Sequence, residues 1–365
     1  MKILGSHLHS LGRDLYAVVY LPAKCSGGYS MSRFFWNSLL VFASSCIALV
    51  VFIGSYEAVQ SVKYERWRAK YDKDKELHGG LTVASEDLDI LWEYQPNAKR
   101  EIEGLHYSIE TNAFGMRNPA ITLQPRADRL RIAFIGDSVT LGLGVEEHDG
   151  FVRQIEQLAR RRGYKIECLN FGIDGFHALQ IEALLKDRVL KFGPDLVVYT
   201  LCLNDFDFDN ASGNKIKYFK KPASFFLRKL RRLIRERAMR SMDYHEYYYQ
   251  LNREAVVASI RRMKAYLASH RIPFSVVIVP AFYSEQPDFD QYHLVPLHLS
   301  IRDDLIGLGI DPIDTLFAFR ASNRGPHEYA IDIWHPNADG HRLIAATILD
   351  VLSSTELPAV SAVSF

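Results

Sequence analysis

A chain of 365 residues that is 48% hydrophobic and 12% aromatic can bury a large core, which excludes global disorder. Its net charge of +1 gives no electrostatic basis for binding nucleic acid. The four cysteines, Cys25, Cys46, Cys168 and Cys202, are scattered without a CxxC pair, which argues against a zinc site or a disulfide scaffold. Cys168 and Cys202 fall in apolar runs and read as buried thiols.

Residues 1–33 form an amino-terminal tail. Phe34 to Ile53 (FFWNSLLVFASSCIALVVFI) then runs without a formal charge over about 20 residues, the length of one bilayer-spanning helix. Trp36 lies near one end, where an interfacial aromatic belt would place it. A cleaved signal peptide is the competing reading, but its apolar region is shorter and no small-x-small site follows Ile53 cleanly. The expectation is an uncleaved anchor over 34–55, with either Met1 or Met31 as the start of the chain. Lys63, Arg66, Arg68 and Lys70 outnumber Lys24 and Arg33 across the span. Taken literally, the positive-inside rule leaves the large domain in the cytoplasm.

A charged, helix-permissive stalk occupies 56–80 and ends at Gly79-Gly80. Residues 81–128 read as a small lead-in subdomain, with strand-like LWEYQ and LHYSIE and turn signals at Pro96-Asn97 and Asn118-Pro119. From 129 to 355 the pattern becomes regular. Strands are expected at Ile132–Ile135, Lys165–Leu169, Asp195–Leu201, Ser275–Val279 and Ile310–Ile313. Helices are expected over Phe151–Arg162, Ala178–Leu190 and Asn337–Leu352. Alternating strands and helices predict an α/β fold with a doubly wound, mostly parallel five-stranded sheet.

Such sheets bind ligands beyond the carboxyl ends of their strands. Ser138 follows the first strand, Asn170-Phe-Gly-Ile-Asp-Gly175 the second and Asn204-Asp205 the third, while Asp332-Ile-Trp-His335 precedes the last helix. Alone, each has an ordinary explanation as a turn, a cap or a loop residue. Together they supply a nucleophile, a base and a carboxylate three residues from that base that can fix its tautomer. The Ser138 amide, the Gly172 amide and the Asn204 side chain would meet an oxyanion at the same sheet edge.

GDS at 136–138, FG at 171–172, ND at 204–205 and DIWH at 332–335 resemble the four blocks of the SGNH or GDSL hydrolases, over about Arg131 to Leu352. The upstream TNAFGMRNP resembles the Asn-x-x-Gly-x-Arg lead-in of bacterial members with long amino-terminal extensions. The resemblance implies an SGNH, flavodoxin-like three-layer sandwich that needs no metal or other cofactor. It makes Ser138 the nucleophile, His335 the general base and acid, and Asp332 its orienter. Ser138, Gly172 and Asn204 would form the oxyanion hole, with Asp137 bracing the nucleophile loop. One position departs: Cys202 stands where the family has Gly, and its side chain would narrow or reshape the pocket.

A helical insertion is expected at 206–250. In it, Phe226, Leu230, Leu233 and Arg237 share a stripe, with Arg228, Arg231, Arg232 and Arg235 mainly off it. A helix docked on the domain is the first reading, and a lid or a basic helix on an anionic membrane are the others. The run His245 to Tyr249 reads first as packing and second as the wall of a sugar cleft. His341 reads as packing or capping.

The resemblance implies a serine esterase that hydrolyses or transfers a small acyl ester through an acyl-serine. An anchored bacterial member would act on a cell-surface polysaccharide. That places a single-pass protein in the inner membrane, held through 34–53, with its catalytic domain extracytoplasmic. The long domain can translocate despite the charge bias. The alternatives are a lipid esterase or lysophospholipase, and a non-catalytic carbohydrate-binding assembly protein.

Overall fold

The computed structural model describes residues 30–74, 81–87, 89–102, 107–208 and 221–361. The expected tail over 1–29 and the Gly79-Gly80 turn lie outside them. The chain divides into two compact units, residues 1–61 and residues 62–365.

Helix α1, Ser30–Asp74, runs through the apolar stretch and on into the charged one, because it contains no Pro and Gly54 is its one glycine. Its segment Arg33–Arg66 is the one helix among the described residues that is long and apolar enough to cross a membrane. Phe34, Phe42 and Val50 on it are exposed.

Two antiparallel hairpins follow. β1 (Thr82–Ala84) pairs with β2 (Trp92–Tyr94), and β3 (Lys99–Ile102) pairs with β4 (Tyr107–Glu110). Trp92, Tyr94, Tyr107, Ile109 and Met116 are buried in the same core as the main sheet. The segment read as a lead-in subdomain therefore shares that core.

The central sheet begins with β5, Leu130–Gly136, whose Ile132, Ala133, Phe134 and Ile135 are completely buried. A short helix α2 (Ser138–Leu141), α3 (Phe151–Arg161), β6 (Ile166–Gly172), α4 (Ala178–Asp187) and β7 (Leu196–Cys202) follow. After α5 (Phe225–Ala238) and α6 (Tyr244–Ser269) come β8 (Phe274–Val279), α7 (Val295–Gly307) and β9 (Ile313–Asp314). Helices α8 (Leu316–Ala321), α9 (Pro326–Tyr329) and α10 (Ala338–Ser361) complete the described chain.

The strand order is β6-β5-β7-β8-β9, and every pairing in it is parallel. Uninterrupted apolar strands of this kind need cover on both faces. α3 packs with α10, and α4 packs with α6. Right-handed crossovers put these pairs on opposite faces, because β5→β6 and β6→β7 advance in opposite directions. The reversal falls at β5, so the crevice of the fold opens beyond Gly136, where Ser138 stands.

The fifth strand is shorter than expected. Asp311-Pro312 interrupts its start, and Pro cannot donate to a ladder. β6 is an edge strand, and Asn118 covers part of that edge. Its side chain donates to Cys168 O at 2.9 Å and accepts from the Asn170 amide at 2.6 Å.

His341, in the first turn of α10, is buried. It stacks on Phe151 with ring centroids 6.0 Å apart, and its Nδ1 accepts from the Phe151 amide that opens α3. Burial first, then the positive charge of Arg117, drops its pKa to about 3, and burial drops that of His177 to about 4. Both histidines stay neutral in the folded chain, while the unfolded chain protonates them below about pH 6.5. Stability should therefore be complete above pH 6.5 and fall as the pH drops toward 4, at about 1.4 kcal/mol per pH unit for each group. Thermal melts between pH 7 and 5 should show a shallower decline in His341→Gln than in the parent. Equal slopes would contradict this assignment.

Candidate active site

The β5 strand delivers Ser138 to the crevice through a turn held by Asp137. This carboxylate is fully buried. It accepts from the Val139 amide at 2.9 Å, Cys202 Sγ at 3.2 Å and Asn204 Nδ2 at 3.0 Å. The Val139 bond caps α2, and the other two tie the turn to the end of β7. Ser138 Oγ lies 3.4 Å from Asp137 but 3.0 Å from His335 Nε2, so the imidazole is its closer partner.

His335 comes from the loop before α10. The Ile331 amide donates to His335 O at 2.8 Å, an isolated bridge joins Ala330 to Pro336, and the Phe282 amide donates to Ile333 O at 2.8 Å. Trp334 packs against Tyr244 and His245, with ring centroids 5.3 and 4.9 Å away. The aromatic run at the start of α6 thus packs on the loop that carries the histidine. His245 and Tyr248 in it are buried.

His335 Nδ1 lies 2.9 Å from each oxygen of Asp332, which also accepts the Trp334 and His335 amides at 2.8 Å. Burial opposes ionisation of Asp332. The bonds from His335 and the two amides outweigh it and hold the carboxyl below its usual value. An ionised Asp332 can only accept, so Nδ1 carries the ring proton and Nε2 is left to accept from Ser138.

The expected oxyanion donors are not equivalent. The Ser138 amide opens α2 and has no acceptor within it. Asn204 gives one amide hydrogen to Asp137 and keeps the second. The Gly172 amide, in contrast, is donated to Asn170 Oδ1 at 2.9 Å. A Cβ on Gly172 would come 2.1 Å from Leu141 N, so this glycine lets α2 seat directly against β6. Gly172 is therefore a packing position with a committed donor. Gly175 has φ +67°, and its amide enters no hydrogen bond among the described residues. Of the two glycines it is the one with an amide to offer. Asp-Gly at 174–175 is a turn signal that could have marked it.

Cys202 does not open into the crevice. It is 4% exposed, and its thiol is spent on Asp137. Burial, with Asp137 and Asp205 nearby, pushes that thiol well up. Burial and the Asp137 charge likewise push Asp205 above the carboxylate range. Asp205 accepts from Tyr199 Oη at 2.7 Å and from the Cys202 amide at 3.1 Å.

The lead-in segment reaches the site through a residue to which the sequence assigned no role. Arg117 is 2% exposed. It donates to Ser108 O at 2.7 Å, Val145 O at 2.6 Å, Leu141 O at 3.2 Å and Gly142 O. Three of these carbonyls frame the loop that leaves α2, and the fourth is on β4. Tyr94 Oη adds a bond to Asp174 at 2.9 Å, which ties β2 to the loop after β6.

A serine, an imidazole and a carboxylate bonded in series at the carboxyl edge of a parallel sheet are the working parts of a serine hydrolase. Residues 134–343, more than half of the chain, match the GDSL-like Lipase/Acylhydrolase family, and the chain belongs to that family of serine ester hydrolases. Curated proteins yield no match. Among solved structures, the acetyl xylan esterase AlAXEase is similar at 20% identity and TM-score 0.41, over 61% of this chain and 100% of that one. The lipase/acylhydrolase from Enterococcus faecalis is similar at 17% identity and TM-score 0.40, over 62% and 96%. Axe2, an acetylxylan esterase from Geobacillus stearothermophilus, is similar at 16% identity and TM-score 0.39, over 62% and 95%.

Proposed function

We propose that this chain is a membrane-anchored esterase that removes a short acyl group from a carbohydrate ester, or transfers it, through an acyl-Ser138 intermediate. The observation that carries the reading is the hydrogen-bonded series Ser138–His335–Asp332. His335 Nε2 takes the hydroxyl proton as Ser138 Oγ attacks the ester carbonyl, and Asp332 stabilises the imidazolium. The oxyanion is received by the Ser138 amide, the second hydrogen of Asn204 and the Gly175 amide, with Gly175 in place of Gly172. His335 then returns the proton to the leaving alkoxide. Water, or a sugar hydroxyl in a transfer, repeats the sequence on acyl-Ser138, and His335 protonates the departing serine.

Ser138 is only 6% exposed, which suits a short acyl chain over a long one. The uncharged run Phe34–Ile53 supports the anchor, and a surface polysaccharide as substrate would put residues 62–365 outside the inner membrane. A lipid ester is the second reading, favoured by the bare apolar stripe of α5.

A series of nitrophenyl esters tests acyl size directly. kcat/KM should be highest for acetyl and fall about tenfold or more by octanoyl, the loss expected when misfit of the longer chain costs about 1.4 kcal/mol or more. A maximum at octanoyl or longer would contradict the short-chain reading and favour the lipid ester.

A further inference from the structure

We infer that α5 is a docking strip for an anionic phospholipid surface. The sequence favoured a helix docked on the domain, yet no residue of α5 is buried. Leu227 (51% exposed), Leu230 (42%), Leu233 (51%) and Ile234 (59%) form a continuous bare stripe. At 100° per residue these four fall within one third of the helix circumference, while Arg228, Arg231, Arg232 and Arg235 cluster on the opposite side. The fourteen residues hold six Lys or Arg against one acid, Glu236, which is itself bonded to Arg232. An apolar face rimmed by cations is complementary to an interface of acyl chains beneath negative headgroups.

A second, independent observation gives this strip a bilayer to meet. Lys221, just before α5, pairs with Glu65 at 2.9 Å, and Phe225 lies 6.2 Å from Tyr64, ring to ring. Tyr64 and Glu65 belong to the last turn of the segment long enough to cross a membrane. Glu65 is 12 residues past Ile53, about 18 Å of helix beyond the uncharged run. Ser224 Oγ caps the first turn through the Leu227 amide at 3.0 Å, and Arg235 holds Tyr248 Oη at 2.9 Å near the other end. The helix is thus fixed at both ends with its apolar stripe uncovered. The strip holds the domain against the surface and limits its swing about the anchor.

The inference rests on reading Phe34–Ile53 as a span, and the test separates the two. The full chain, with Cys25 and Cys46 changed to Ser and Leu230→Cys carrying an environment-sensitive fluorophore, is reconstituted in two kinds of vesicle. One is phosphatidylcholine alone, the other contains phosphatidylglycerol, and both carry a nitroxide quencher on the acyl chains. Flotation with the neutral vesicles reports the span. Quenching of the fluorophore in the anionic vesicles, weak in the neutral ones, is the expected result. Joint replacement of Arg228, Arg231 and Arg232 by Glu should lower it by about fivefold per arginine, the effect of one cation near an anionic surface. No quenching in anionic vesicles overturns the inference, as does equal quenching in neutral ones. A fluorophore shielded from water but unquenched, in vesicles and detergent alike, means that protein covers the stripe and also overturns it. A chain that floats only on anionic vesicles refutes the span and still supports α5.

Discussion

Asp332→Asn is expected to lower kcat for a short-chain ester by about 10³- to 10⁴-fold with little change in KM. The two backbone amides that bond Asp332 Oδ1 would hold the Asn oxygen in the same place. That leaves an NH₂ group where Oδ2 now accepts from Nδ1. That NH₂ group competes with Oδ1, also 2.9 Å from Nδ1, and favours the tautomer with its proton on Nε2, which can no longer accept from Ser138. The positive charge that forms on His335 during attack also loses its counter-charge. The Asp332 side chain is 48% exposed, so the fold should survive and the melting temperature should move little. Steady-state kinetics and a thermal melt on the same preparation decide it. A fall in kcat of less than tenfold would remove Asp332 from the mechanism.

Arg117→Ala is expected to have the largest effect on stability. The guanidinium serves four carbonyls, three of them in buried bonds, and no carboxylate pairs with it among its described hydrogen bonds. Burial lowers its pKa without neutralising it. Truncation removes a donor from each of the four, of which Gly142 O keeps the Val145 amide at 3.4 Å, and leaves a cavity beside Tyr107, whose ring lies 5.9 Å from the guanidinium carbon. Losses of this kind are worth about 3–5 kcal/mol together, or roughly 10 °C in melting temperature. Arg117→Lys should recover only part of this, because one ammonium cannot span four carbonyls. Activity should fall as well, since the loop from Leu141 to Val145 leaves directly from the helix that carries Ser138. A melting temperature within about 2 °C of the parent would show that water replaces the arginine without cost.

The parallel sheet was legible because its strands are unbroken apolar runs between helical patterns, and a sheet covered on both faces leaves that trace. Its limits followed local chemistry: Asp311-Pro312 shortened the fifth strand, and proline-free residues carried α1 through Gly54 and beyond the apolar segment. Ser138, Asn204, Asp332 and His335 could be placed because a doubly wound sheet brings its carboxyl ends to one edge. Gly172 could not be judged the same way. Whether an amide is free depends on where the side chain two residues earlier points, and Asn170 turns onto it. Arg117 stood out within its motif, yet its partners are carbonyls up to 28 residues later, which no local pattern encodes. The stripe on α5 was also visible, but periodicity does not tell whether a helix finds a neighbour to cover it.

The central claim is that Ser138 is an activated nucleophile. Its most direct test is covalent labelling of the folded chain with a fluorophosphonate probe, followed by peptide mapping. The account predicts stoichiometric modification at Ser138 that disappears in His335→Ala. Folded protein without label at Ser138, or label that forms equally fast without the histidine, would contradict it.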